Sequence, residues 1–368
     1  MKILHLEARS FRNHAEAIYD FGPHINLIAG PNGVGKTNLI DAIHYLCMSK
    51  SFVTGSNLYV VRQGQAGFSI KGRFEGSIRK SFEVGCTYDR GEGKKITVNE
   101  SPLERLSDLI GMVPVVVLSP DDKKLTSEGP AERRSFLDSF IAQLSKSYLR
   151  DLIDYRKIVR QRNRLLSSYG LSAANLTVFL EPWNVQLVEV GSRIIAKRFE
   201  VAREYSRFLE EGYQQIAGIN HHPHFHYKTL CEPSSKPEEI EPEFEKKLSA
   251  VLDKEREREQ TLIGPHRDDL IFFLDDFEIR KYGSQGQHRM FALALKLAQL
   301  RYYSDKLDDL PLFLLDDVFG DLDPHKTEVF LSMLVEHEGQ TFITAANAEP
   351  LVKYIPLEAE NNRLFALT

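Results

Sequence analysis

The sequence has 368 residues, a length that favours two domains or one domain with a large insertion. Hydrophobic residues make up 42% of the chain and charged residues 27%, values typical of globular proteins. The formal net charge of -5 argues against a uniformly basic nucleic-acid coat, so any DNA-binding surface must be a local patch.

The expected compartment follows from cysteines and hydropathy. Cys47, Cys86 and Cys231 are far apart and share no metal-ligand spacing, which predicts a reducing environment without a disulfide framework. No apolar segment has the length of a signal peptide or of a membrane span. We therefore expect a soluble cytoplasmic protein without a membrane partner.

The first 120 residues are dominated by strand patterns, through alternation or β-branched residues. The predicted strands are Lys2–Ser10, Ile25–Ala29, Gly67–Phe74, Ser81–Tyr88 and Val113–Leu118.

The segment from Gly30 to Thr37 reads Gly-Pro-Asn-Gly-Val-Gly-Lys-Thr and fits the phosphate-binding loop pattern. An apolar strand precedes it, and apolar residues at helical spacing follow from Asn38 to Cys47. In this context the glycines let backbone N–H groups face phosphates, and the helix N-terminus adds partial positive charge. The alternative is a glycine-rich turn with a chance Lys-Thr; the context favours nucleoside triphosphate binding.

Two side chains of this loop carry the expected chemistry. Lys36 would reach the β- and γ-phosphates, and the Thr37 hydroxyl would ligate Mg²⁺. The residues expected to contact the nucleotide here are Gly30, Pro31, Asn32, Gly33, Val34, Gly35, Lys36, Thr37 and Asn38.

Between Pro130 and about Gly218 strand patterns nearly vanish, and amphipathic helices are predicted. A first helix begins at Gly129-Pro130. The apolar positions of the next two are Tyr148, Leu152, Tyr155, Val159 and Leu166, then Leu187, Val190, Ile194, Val201, Tyr205 and Phe208. Joined near Ser167 to Thr177, these two would pack antiparallel as an arm.

The first arm helix is basic within an acidic chain. Its basic residues are Arg150, Arg156, Lys157, Arg160, Arg162 and Arg164, against Asp151 and Asp154. Contact with DNA phosphates and a merely solvated helix face both explain such a run.

A histidine cluster from His221 to His226 invites a metal hypothesis. No carboxylate or thiol joins it at ligand spacing, so a solvent-facing strand is the default interpretation.

The expected organisation is an N-terminal part of a head at 1–120, a mainly helical arm at 121–258 and a C-terminal part of the head at 259–368. Residues 219–230 fit either the arm or the head.

A second apolar strand ends in two acids at Pro311-Leu312-Phe313-Leu314-Leu315-Asp316-Asp317. Asp316 would hold Mg²⁺ through water beside Thr37, and Asp317 would polarise the attacking water. A buried strand followed by an Asp-Asp turn is the alternative, which the phosphate-binding loop makes less attractive.

The segment Tyr282-Gly283-Ser284-Gln285-Gly286-Gln287 precedes the helix His288–Tyr303. Small residues ahead of a helix make a second anion-binding N-terminus. One nucleotide rarely needs two phosphate cradles in one chain. A known solution is that such a cradle caps the ATP of another subunit, here through Gly283, Ser284, Gly286 and Gln287.

These motifs and their order resemble the ABC/SMC/Rad50 ATPase heads and, within them, the RecF family over essentially the full length. The segments that carry the closer resemblance are Phe11-Arg12-Asn13-His14, Gly129–Asp138 with its Arg133-Arg134-Ser135-Phe136-Leu137-Asp138, Pro182-Trp183, Gly264-Pro265-His266-Arg267-Asp268-Asp269-Leu270 and Tyr282–Gln287. The resemblance implies an α/β fold, an ABC/SMC-type P-loop ATPase head of mixed sheets and flanking helices with an inserted antiparallel helical arm.

The resemblance also implies a function. ATP and Mg²⁺ would be the cofactors, Lys36, Asp316, Asp317 and Ser284 the catalytic residues, and Arg12 a residue near the phosphates. ATP would close a head-to-head homodimer on duplex, gapped or single-stranded DNA, and a RecR-type recombination mediator would be the partner in recombinase loading.

Two residues depart from the pattern of the related ATPases. Asp317 stands where transporters and many SMC-type heads have Glu, and this shorter carboxylate predicts slow turnover. Thr344 stands where transporters often carry a switch histidine.

Other functional classes remain as alternatives. An SMC-like ATPase with a structural DNA-clamping role is one. A transporter ATPase subunit is less attractive, because the insertion between Lys36 and Ser284 exceeds a transporter's small helical domain. A nuclease-linked ATPase lacks room after Asp317 for a nuclease domain.

Overall fold

The computed structural model describes residues 1–168, 173–218, 221–357 and 361–368. Its strands are β1 (Lys2–Phe11), β2 (His14–Asp20), β3 (Ile25–Ala29), β4 (Gly67–Glu75), β5 (Phe82–Asp89), β6 (Gly93–Val98), β7 (Ser101–Pro102), β8 (Val115–Leu118), β9 (Pro223–Lys228), β10 (Asp269–Leu274), β11 (Phe277–Glu278), β12 (Leu312–Leu315), β13 (Thr341–Ala345) and β14 (Arg363–Ala366).

Its helices are α1 (Lys36–Met48), α2 (Lys124–Ser127), α3 (Pro130–Leu144), α4 (Lys146–Leu166), α5 (Ala173–Ala217), α6 (Pro237–Ala250), α7 (Leu252–Arg258), α8 (Ile279–Tyr282), α9 (Gln285–Lys306), α10 (Pro324–Glu336) and α11 (Glu349–Val352). Within the described residues, each helix is either too short or too polar to span a bilayer.

Packing divides the chain into two compact units. The sheet unit comprises Met1–Asp122, Gly212–Ile219 and Leu293–Thr368, and the helical unit comprises Lys123–Glu211 and Asn220–Ala292. The predicted head and arm limits, with a boundary at 258/259, stay a prediction, since packing alone groups 259–292 with the helical unit.

A five-stranded parallel sheet in the order β14-β3-β13-β12-β8 positions the candidate site. Its strands β3, β12 and β13 are buried at every residue. Strands covered on both faces read as continuous apolar runs, which is why the sequence shows them clearly. Because parallel strands end at one edge, the loops after β3, β13 and β12 are neighbours.

A six-stranded antiparallel sheet, β2-β1-β4-β5-β6-β7, completes the sheet unit. Helix α1 contacts strands of both sheets, and its buried side chains share one core with β1, β4 and β5. The five strands predicted in the first 120 residues are confirmed to within two residues at each end. Strands β2 and β6 lie in segments where the pattern indicated no strand.

Helices α4 and α5 of the helical unit pack antiparallel, as predicted. Three side-chain hydrogen bonds join the two helices: Tyr148 with Arg198, Asp151 with Arg193, and Arg162 with Asn184. The partner's number falls along α5 as the number rises along α4, as in an antiparallel pair. Of the connection predicted near Ser167 to Thr177, residues 169–172 lie outside the described residues.

The histidine cluster lies at β9, which pairs with β10 in a three-stranded sheet with β11. His224 and His226 are exposed, so the solvent-facing strand is confirmed. No group of three His, Cys, Asp or Glu side chains suited to a metal ion occurs within residues 1–168, 173–218, 221–357 and 361–368.

Candidate nucleotide-binding site

The predicted phosphate-binding loop connects β3 to α1, as the pattern requires. Lys36 is 7% exposed, and its Nζ donates to the carbonyl oxygens of Gly30 at 2.6 Å and Pro31 at 2.9 Å. The ammonium group therefore lies inside the loop, with Pro31, Asn32 and Gly33 exposed at its crest. A loop that folds over its own lysine presents a concentrated positive charge where phosphates would bind.

The turn between β1 and β2 packs against this loop. Asn13 accepts a hydrogen bond from Asn38 Nδ2 at 2.6 Å, and His14 Nε2 donates to the Gly35 carbonyl at 3.2 Å. Burial lowers the pKa of His14, which keeps its ring neutral at neutral pH. Gly35 has φ 107°, and a Cβ there would lie 2.6 Å from Asn13, so only glycine fits.

The loop and the second strand meet through Thr37 and Asp316. Thr37 Oγ1 donates to the Asp316 carboxylate, at 2.8 Å from Oδ1 and 3.0 Å from Oδ2. Burial raises the pKa of Asp316, and the hydrogen bonds from Thr344 and Thr37 oppose that shift. The structure thus brings together the two residues predicted to hold Mg²⁺.

These two side chains fit a magnesium ion. Mg²⁺ prefers oxygen ligands and is usually bound by one or two carboxylates together with substrate phosphates rather than by a full protein cage. A threonine hydroxyl and one buried carboxylate beside a phosphate-binding loop match that chemistry. The fit rests on Thr37 and Asp316 alone.

Asp317 follows Asp316 just after the end of β12 and is exposed. Its φ of 48° is in the left-handed region, which is uncommon for a residue with a side chain and occurs often at functional sites. Its backbone N–H donates to Thr344 Oγ1 at 2.9 Å. Asp317 and Thr344 both line a cavity of about 420 Å³ whose other walls include Phe319, Leu351 and Tyr354.

Arg12 lies at the end of β1 but faces α1. Its Nε donates to Asp41 Oδ2 at 2.7 Å, and its Nη2 donates to Ser51 at 2.8 Å. Burial raises the pKa of Asp41, and the Arg12 charge opposes that shift. The guanidinium group therefore balances a buried carboxylate, and its predicted proximity to phosphates stays a prediction.

The predicted second cradle lies at the start of α9, in the helical unit. Ser284 N donates to Gln287 Oε1 at 2.8 Å, and Gln287 N donates to Ser284 Oγ at 3.2 Å. This reciprocal pair is a capping box, which satisfies two N–H groups at a helix start. Ser284 and Gly286 are exposed, so the helix start is open to solvent.

The basic residues predicted to bind DNA divide into two groups. Arg150, Arg156, Lys157, Arg160 and Arg164 are exposed on α4. Arg162 is fully buried and pairs with Glu255, with Nη2 and Oε2 at 2.8 Å. The prediction of DNA contact is wrong for Arg162, because its guanidinium group is buried and paired with Glu255 and so cannot reach a DNA phosphate.

The Gly264–Leu270 segment forms part of a buried network. Arg198 donates to Asp138 and Asp268, while Tyr227 and Thr229 also donate to Asp268. Burial lowers the pKa of His266 to about 4. Its neutral ring donates from Nε2 to the Thr261 carbonyl at 3.0 Å and accepts from Tyr155 at 2.7 Å. His266 therefore has a structural role.

Sequence reasoning named Asn13, His14 and Thr344 without their roles at the site. Their contacts join segments far apart in the chain, so no local pattern could reveal them. The only signal was position: a turn after β1 and a threonine at the end of the strand between β3 and β12.

Comparison with known proteins places this geometry in a family. Residues 2–354 match the family described as the RecF/RecN/SMC N terminal domain. The chain is 45% identical to the DNA replication and repair protein RecF of Salinibacter ruber, over 98% of this chain and 89% of that protein. It is 39% identical to the protein of the same name from Chloroherpeton thalassium, over 94% of each.

Two solved structures superpose on this chain. The recombination mediator protein RecF-ATP of the RecFOR pathway superposes with a TM-score of 0.86 at 28% identity, over 94% of both chains. The head domain of Smc from Pyrococcus furiosus, bound to the C-terminal domain of ScpA, superposes with a TM-score of 0.56 at 14% identity, over 96% of this chain and 91% of that one. The latter likeness shows a shared fold, the ABC/SMC-type ATPase head.

Proposed function

This chain belongs to the RecF family, and we propose that it is an ATP-dependent DNA-binding protein of recombinational repair. The observation that carries the proposal is the hydrogen bond from Thr37 to Asp316, which joins the phosphate-binding loop to the acid at the end of β12. A relative in the same family is described with ATP in the RecFOR pathway.

Lys36 and the loop amides would hold the phosphates of ATP, and Thr37 with Asp316 would hold Mg²⁺, which would neutralise phosphate charge when bound. Asp317 would orient and deprotonate the attacking water, as a positioned carboxylate does in general-base catalysis. Hydrolysis would be slow, because an aspartate reaches less far than the glutamate of related ATPases.

Two copies of the chain would close head to head around ATP. The exposed helix start at Ser284 supports this arrangement, because its partial positive charge and the proton of the Ser284 hydroxyl suit the phosphates of a nucleotide bound by another subunit. Closure would trap the protein on DNA, and hydrolysis would release it.

DNA would bind through exposed basic residues of α4, in particular Arg156, Arg160 and Arg164. Phosphate contacts of this kind position a protein without reading sequence. A RecR-type mediator would be the protein partner, and loading of recombinase at gapped DNA in the cytoplasm would be the outcome. A role in replication restart and the SOS response follows from the same activity.

Analytical sedimentation of the full chain tests the proposal. We expect a monomer alone, a dimer with ATP and Mg²⁺, and co-sedimentation with duplex DNA that requires ATP. A protein that stays monomeric with ATP and binds DNA equally without it would overturn the proposal.

A further inference from the structure

Thr344 occupies a central place between the two halves of the candidate site. It lies on β13, the strand between β3 and β12, and is 1% exposed. Its Oγ1 donates to Asp316 Oδ1 at 2.8 Å and accepts from the Asp317 backbone N–H at 2.9 Å. One hydroxyl therefore contacts the carboxylate predicted to hold Mg²⁺ and the backbone of the residue predicted to activate water.

The donor capacity of this hydroxyl is fully used. A threonine hydroxyl has one proton, and here it is donated in the hydrogen bond to the Asp316 carboxylate. Thr344 therefore has no proton left to donate to a phosphate oxygen, unlike a histidine at the same position. Its geometry matches contact with the two acids and not contact with a nucleotide.

The backbone of Asp317 needs such support. A left-handed φ of 48° persists in a residue with a side chain only when surrounding contacts hold it. Among the hydrogen bonds of the described residues, that from Asp317 N–H to Thr344 anchors this strained residue to β13. The direction of the Asp317 side chain depends on that backbone conformation.

We propose that Thr344 is a positioning residue for hydrolysis, fixing Asp316 and Asp317 relative to each other without touching the nucleotide. The inference rests on the proposed function, since it requires Asp317 to act on water. Outer-shell partners of this kind commonly contribute about 10–100-fold to activity. The loss of Thr344 should therefore appear in kcat and leave nucleotide affinity unchanged.

The test compares Thr344→Val, which keeps the shape but removes the hydroxyl, with Thr344→Ser, which keeps the hydroxyl. We expect kcat for ATP hydrolysis to fall about 10–100-fold in Thr344→Val and to stay near the wild-type value in Thr344→Ser. The affinities for fluorescent ATP and ADP analogues, and their ratio, should match the wild type in both variants. Thr344→Ala gives the same comparison if Thr344→Val does not fold.

Three results would overturn the inference. One is a wild-type kcat in Thr344→Val. Another is a selective loss of ATP over ADP affinity, which would mean that Thr344 contacts the γ-phosphate. The third is equal damage in Thr344→Ser and Thr344→Val, which would mean that only shape matters. A wild-type protein that binds no ATP would instead contradict the proposed function.

Discussion

Arg162 and Glu255 form an ion pair in which neither side chain is exposed, with Nη2 and Oε2 at 2.8 Å. Asn184 and Thr261 accept from the same guanidinium group, each at 2.8 Å. The pair links α4 to α7, and the bond to Asn184 links it to α5. A basic residue on the arm thus holds helices together.

Replacing Arg162 should therefore destabilise the protein. We expect Arg162→Ala to lower the free energy of unfolding by about 3–5 kcal/mol, because it leaves the Glu255 carboxylate buried without a partner. Arg160→Ala, at an exposed position on the same helix, should change it by less than about 0.5 kcal/mol. Urea denaturation measures both, and equal effects would contradict the structural role of Arg162.

The exposed arginines of α4 should carry DNA affinity. Replacing Arg156, Arg160 and Arg164 by alanine should weaken binding to all duplex sequences alike and reduce the log–log salt slope by about 0.9 per lost phosphate contact. Titrations at several salt concentrations measure the slope. The matched control replaces the same three residues by lysine, which keeps the charge. If the slope is unchanged in the alanine variant, these three arginines do not contact DNA phosphates and their helix face is only solvated.

Lys36→Ala should abolish nucleotide binding, because it removes the charge that would neutralise the β- and γ-phosphates. Lys95→Ala is the control, since Lys95 is exposed and forms a surface ion pair with Glu92, away from the loop. Binding of a fluorescent ATP analogue distinguishes the two. Normal affinity in Lys36→Ala would refute the role assigned to the loop.

Asp317→Asn should separate binding from hydrolysis. Asparagine tolerates the left-handed backbone of this position, so the substitution removes the base and leaves the fold intact. We expect unchanged ATP affinity, hydrolysis lower by about 10²–10⁴-fold, and accumulation of an ATP-bound dimer. Steady-state turnover at the wild-type rate would exclude Asp317 as the base.

Ser284→Arg should leave ATP binding by the monomer near normal. The bulky cation would block closure of two heads, so ATP-dependent dimerisation and hydrolysis should both disappear. Mixing this variant with Lys36→Ala protein creates a dimer with one intact composite site, and partial recovery of hydrolysis would support action between subunits. If monomeric Ser284→Arg fails to bind ATP, the cradle serves its own chain and the dimer mechanism is wrong.

The sequence predicted those parts of the site that depend on local order. The loop from Gly30 to Thr37 and the acids after β12 follow buried parallel strands, and such strands leave continuous apolar runs. Contacts between distant segments leave no comparable pattern. The approach of Asn13 to the loop and the bridging hydroxyl of Thr344 appear only after the sheet has been assembled.

Arg162 is a different case, because a signal was present. The apolar positions of α4 include Tyr155, Val159 and Leu166, and the seven-residue gap between the last two includes position 162 on the same face. Arg162 occupies that inward position. The burial was missed because the basic residues were counted along the helix without considering which face each one occupies.

The strand order also determines when the protein can become active during synthesis. Within the residues that the structure describes, strand β3 pairs with β13 and β14, which begin at Thr341 and Arg363. As the chain leaves the ribosome, β3 and its loop emerge early, whereas these two neighbours emerge much later. An apolar strand without neighbours is prone to wrong pairing, so the unfinished chain has a long interval that favours chaperone protection. ATP can therefore stabilise the finished protein but cannot assist the early steps of its folding.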